Sequence, residues 1–171
     1  MMFVKKLILL FLSIVLMFSF SACGNTLKGE EDIIEKARKE VPLADADNIE
    51  MKIIGTHNLG DKYLFWIMTG NEYQSNSYFV METDIKGENK YEFVKLYDTL
   101  DRGKDIRTLY YTCMGENVLD SYYFFMVNNE DCAKMVLNGE EIDIESYPFV
   151  YSYREFSGEY NFLDKYGNEI R

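Results

Sequence analysis

Hydrophobic positions along the chain fall into three successive regimes. The first is continuous: from Leu7 to Ala22 only Ser13, Ser19 and Ser21 interrupt the apolar residues. This run is 16 residues long, short of the ~20 an α-helix needs to cross the hydrocarbon core of a bilayer. The second regime has helical spacing. Ile33, Ile34, Ala37 and Val41 fall on one face and predict a helix from about Glu30 to Glu40. Glu30, Glu31 and Asp32 occupy its first turn, and Lys36, Arg38 and Lys39 lie toward its end, which suits the helix dipole. Pro42 stops it. Beyond Asp47 the period becomes two, the signature of strands.

The period-two region predicts strands at Ile49–Ile54, Lys62–Thr69, Ser77–Ile85, Tyr91–Tyr97, Ile106–Met114, Tyr122–Val127, Ala133–Leu137, Glu141–Ile144, Phe149–Phe156 and Glu159–Leu163. They are rich in Tyr, Phe, Ile and Val, which favour a pleated, half-buried surface. Asn138-Gly139 between Leu137 and Glu140 is a two-residue hairpin signal. Lys86-Gly87-Glu88, Met114-Gly115-Glu116, Asn128-Asn129 and Tyr166-Gly167-Asn168 mark further turns. Tyr63 to Met68 is apolar on both faces, as a central strand covered on each side must be. The expected fold is mainly β (α+β): one N-terminal helix, then an antiparallel meander forming a sandwich or a partly closed barrel. The expected organisation is a leader over 1–22, a tether over 23–29 and a single domain over 30–171.

The leader pairs Lys5 and Lys6 with the apolar run and ends on Ser21 and Ala22 before Cys23, the layout of a secretory signal peptide. At Phe20-Ser21-Ala22-Cys23 it resembles the lipobox of bacterial prolipoproteins, with Phe20 standing where Leu is usual. The resemblance covers residues 1–23. It implies a diacylglyceryl group on the Cys23 thiol, cleavage before Cys23, and retention on the extracytoplasmic face of the cell membrane. The alternative is an ordinary secretory signal cut after Gly24, which releases a soluble chain. The chain as a whole resembles small lipoproteins of Gram-positive bacteria.

Composition adds two constraints. The leader holds two of the 18 Lys+Arg and none of the 29 Asp+Glu, so the 149 residues from Cys23 onward carry a net charge of −13. A domain so acidic is repelled by nucleic acid and by anionic headgroups, and no nucleic-acid partner is expected. With 14 Tyr, eight of the 12 Phe and the one Trp lying outside the leader, the domain is too aromatic for disorder.

Candidate chemistry is sparse. The one histidine, His57, sits in Gly55-Thr56-His57-Asn58-Leu59-Gly60, which reads as a loop. No Gly-x-Ser-x-Gly elbow surrounds a serine, and no Cys/His cluster has zinc spacing. Asp45-Ala46-Asp47-Asn48 opens like a calcium loop, but Glu50 stands where that loop requires Gly. Neither a metal nor a cofactor is predicted. Cys113 and Cys132 are candidates for a disulfide closing a loop of about 20 residues, worth about 3 kcal/mol. Tyr110, Tyr111, Tyr122, Tyr123, Tyr151 and Tyr153 place rings on both faces of their strands and form a candidate aromatic contact surface. The sequence therefore points to a lipid-anchored, non-enzymatic binding module that meets an envelope protein, peptide or glycan. The alternatives are a small enzyme using a carboxylate pair or His57, and a structural subunit of a membrane complex.

Overall fold

The computed structural model describes residues 26–70, 76–114, 119–154 and 158–170. The leader and Cys23 lie outside these, as do the Gly115-Glu116 turn and the end of the predicted strand at Phe156. In order, the elements are β1 (Thr26–Lys28), α1 (Gly29–Glu40), a 3-10 turn (Ala46–Asn48), β2 (Met51–Asn58), β3 (Lys62–Thr69), β4 (Ser77–Gly87), β5 (Lys90–Asp98), β6 (Leu100–Asp101), β7 (Ile106–Met114), β8 (Leu119–Val127), β9 (Lys134–Leu137), β10 (Glu140–Asp143), β11 (Phe149–Arg154) and β12 (Tyr160–Leu163). The described fold is mainly β, with antiparallel pairings throughout and one helix.

The helix forms where its spacing predicts, but it is not the first element. Thr26–Lys28 lie within the expected tether, yet they pair with β5 as β1. The Lys28 N–H then donates to Asp32 Oδ2 at 2.7 Å, satisfying a donor at the helix start. Val41 N–H closes the last turn on the Ala37 carbonyl at 2.9 Å, and Pro42 cannot continue it.

Three sheets result, ordered β1-β5-β4-β3-β2, β11-β8-β7-β6 and β10-β9-β12. They stack in sequence with the helix outermost. Ile33, Ala37 and Val41 pack on Phe65, Ile67, Phe79 and Met81 of the first sheet. The other face of that sheet, through Leu64, Trp66, Met68 and Val80, packs on Leu109, Tyr111, Phe124 and Met126 of the second. The far face of the second sheet, through Ile106, Phe125 and Val127, packs on Met135, Leu137 and Phe162 of the third. β3 is thus buried from Leu64 to Thr69 on both faces, as its apolar run requires.

The predicted loop around His57 is instead the second half of β2, paired through Asn58↔Tyr63. The register shifts between Ile53 and Gly55, and Gly55 comes against β11: a Cβ there would sit 2.7 Å from Val150 Cγ2. Glycine here marks a bulge and a close approach of two strands, not a turn. Gly55→Ala should therefore destabilise the fold by about 1–3 kcal/mol through overpacking. Adding Val150→Ala should return part of that loss in a urea-denaturation double-mutant cycle; additive losses would show that the seam does not limit the site.

Asn138-Gly139 is the predicted two-residue turn, with φ of 51° and 85° and Leu137 paired to Glu140 across it.

Candidate functional site

The second sheet divides the predicted tyrosines by face. Tyr111 and Tyr122 turn inward, into or against the core shared with the first sheet. On the opposite face, Tyr110, Tyr123 and Tyr153 are cross-strand partners and form one row over β7, β8 and β11. Tyr123, Tyr151 and Tyr153 are half-buried against the third sheet's cluster. The Tyr110 ring lies 5.3 Å from that of Tyr123 and is 57% exposed. Met114, four residues along β7 and so on the same face, is 76% exposed. Tyr123 in turn lies 6.2 Å from Tyr160, over which the Arg102 guanidinium sits at 5.5 Å. The sequence set therefore resolves into an outward row ending on Tyr110 and an inward pair that is core.

A second constellation was hidden in the sequence. Glu82 follows Tyr78 and Val80 on the inward face of β4, and its side chain is only 8% exposed. Tyr97 donates its hydroxyl to Glu82 Oε2 at 2.6 Å. The Lys62 ammonium lies 3.1 Å from Oε1 and 2.5 Å from Asp84 Oδ1. Tyr111 faces this cluster from the second sheet, its ring 5.8 Å from that of Tyr97. At the same end of the second sheet Cys113 pairs with Asp120, which binds Arg154 at 2.6 Å. The signal for this cluster was Glu82 directly after the apolar run Tyr78–Met81, since a buried charge must find a partner.

Cys113 and Cys132 are free thiols on opposite sides of the second sheet. Cys113 packs against the core shared with the first sheet, Cys132 within the core shared with the third. The structure does not bring the predicted disulfide pair together, because the strand between them turns their side chains to different layers.

His57 is on the inward face, its ring 4.7 Å from that of Phe124. Its Nε2 is buried and, among the described residues, has no hydrogen-bond partner. Burial lowers its pKa from 6.5 to about 4, since the charged ring loses hydration. Below pH 6.5 the unfolded chain takes up a proton that the folded chain refuses until about pH 4. Stability should therefore fall through that window as pH drops, by up to about 3 kcal/mol. His57→Leu should remove that part of the slope in pH-dependent urea melts. An unchanged slope would show that the ring is solvated in the folded chain.

The chemistry available follows from these shifts. Burial raises the Cys113 thiol, helped by Asp120 and Asp61, and burial raises Cys132 to about 11. Burial and then Glu82 raise the hydroxyls of Tyr97 and Tyr111. Lys62 is raised chiefly by its bond to Asp84, and Asp84 is lowered chiefly by Lys62. Each of these groups is displaced away from neutrality, whereas general acids and bases are tuned toward the working pH. The Glu82 cluster is an ion-pair and hydrogen-bond group that ties β3, β4 and β5 of the first sheet together on its inward face. No group of three or more His, Cys, Asp or Glu side chains among the described residues is arranged to hold a metal ion. Two open clefts of 330 and 300 Å³ lie elsewhere, one beside Tyr78, Asp101 and Arg107, the other beside Lys104, Asp131 and Asp164. Arg107 in the first already pairs with Asp101. In the second the Asp164 carboxylate is already occupied, accepting from Asn168 Nδ2 at 2.9 Å and from the N–H groups of Tyr166 and Asn168.

Comparison with family models, curated proteins and solved structures gives no match to this chain.

Proposed function

We propose that this chain is a lipid-anchored, non-enzymatic binding module of the cell envelope. Acylated Cys23 holds it on the extracytoplasmic face of the membrane, and stacked sheets of a sandwich present the outward tyrosine row to an envelope protein, peptide or glycan. The observation that carries the contact surface is Tyr110: a large ring more than half exposed, beside Tyr123, on the face it shares with exposed Met114. Exposed aromatic side chains supply contact area at low entropic cost and a hydroxyl for hydrogen bonding. The leader pattern supports the anchor. The displacement of His57, Cys113, Tyr97 and Tyr111 away from neutrality supports binding over catalysis.

The surface is tested by placing a photo-crosslinking amino acid at Tyr110 in cells, with Lys52 on β2 as the comparison site. A discrete crosslinked species is expected from position 110 and not from position 52. Identical adducts at both, or none at 110, would count against the surface. Tyr110→Ser should weaken capture while leaving stability within about 0.5 kcal/mol, as for an exposed side chain.

A further inference from the structure

The tether expected from the sequence is shortened by β1, and this restricts how an anchored domain can stand. Thr26, Leu27 and Lys28 pair with Glu92, Tyr91 and Lys90 of β5, and Leu27 packs against the core beneath the helix. Thr26 is therefore fixed to the first sheet. Only Gly24 and Asn25 separate it from Cys23, and the three residue steps between them reach at most about 11 Å. Two acyl chains on Cys23 would place that residue at the headgroup layer.

The edge nearest the anchor also has a particular character. β1 covers β5 only from Lys90 to Glu92. Beyond it, from Phe93 to Asp98, no described strand lies on the outer side of β5. Phe93 pairs with Thr83 and Lys95 with Glu82, so Val94 is a bulged residue on this edge, and it is 42% exposed. Lys36 sits over the Phe93 ring at 4.3 Å and Lys95 over the Tyr97 ring at 4.6 Å. One exposed apolar residue between two cations resting on aromatic rings suits a phospholipid headgroup layer, within a domain that is acidic overall.

We propose that the β5 edge from Phe93 to Asp98 is the surface that the domain lays against the bilayer, with the β2 edge turned away from it. This rests on acylation of Cys23. β2 lies three strand spacings from β5 in the same sheet, about 14 Å farther out.

The test uses full-length protein extracted from membranes, carrying Cys113→Ser, in phosphatidylcholine vesicles containing a headgroup spin-labelled lipid. Cys132 is fully buried and escapes labelling. A fluorophore is attached at Val94→Cys, at Lys95→Cys as a second site on the same edge, or at Thr56→Cys on β2. Quenching several-fold stronger at 94 and 95 than at 56 is expected. A protein that floats with the vesicles but is quenched equally at both edges, or more at 56, overturns the orientation and leaves the anchor standing. A protein that does not float overturns both.

Discussion

Lys62→Met should cost the fold about 2–4 kcal/mol, read as a drop in urea midpoint at constant m-value. The ammonium touches two carboxylates, Glu82 at 3.1 Å and Asp84 at 2.5 Å. Asp84 is 32% exposed and keeps Lys86 at 3.3 Å. Glu82 has no comparable reserve. Its side chain is only 8% exposed, with the hydroxyl of Tyr97 left as its hydrogen-bond donor. Leaving one half of a buried pair is the costly event, whereas removing both charges is often neutral. Lys62→Met with Glu82→Gln should accordingly recover to within about 1 kcal/mol of the natural chain, because the amide oxygen still accepts from Tyr97. A double variant no more stable than Lys62→Met alone would show that Lys62 acts by packing its stem and not by pairing Glu82.

Cys23→Ala should abolish the acylated mature species. Incorporation of labelled fatty acid falls to background, and the chain appears either as uncleaved precursor or as soluble protein cut after Gly24. The expected effect is large because the proposed diacylglyceryl group would carry the attachment to the membrane. Two acyl chains on Cys23 would bury many methylenes at about 0.8 kcal/mol each, while the net charge of −13 from Cys23 onward works against adhesion to anionic lipid. No helix among the described residues is long and apolar enough to cross a membrane. The substitution lies upstream of β1, so unfolding of the released domain should match that of the acylated form in detergent. Undiminished label in Cys23→Ala would place the lipid on another residue.

The sheet cores were legible because β3, β4, β7 and β8 each carry an apolar run long enough to count, and that of β3 is apolar on both faces. β1 and β6 were not, since Thr26–Lys28 and Leu100–Asp101 are too short to carry a period. Gly55 misled for a physical reason. In sequence an isolated glycine near polar residues resembles a turn, and only the approach of Val150 shows that it admits a neighbouring strand. Tyrosine faces followed from strand parity, but which face stayed exposed depended on how far the third sheet reaches across the second. That is a long-range property, absent from local pattern. Glu82 was readable as an oddity in β4, and its partners Lys62 and Tyr97 come from two other strands that only the folded chain assembles.

The proposed module depends on lipid at Cys23, and intact-mass analysis of the N-terminal peptide from membrane-extracted protein reads that lipid out. The expected peptide begins at Cys23 and carries a diacylglyceryl group on the thiol. A peptide beginning at Asn25 with no modification would contradict it.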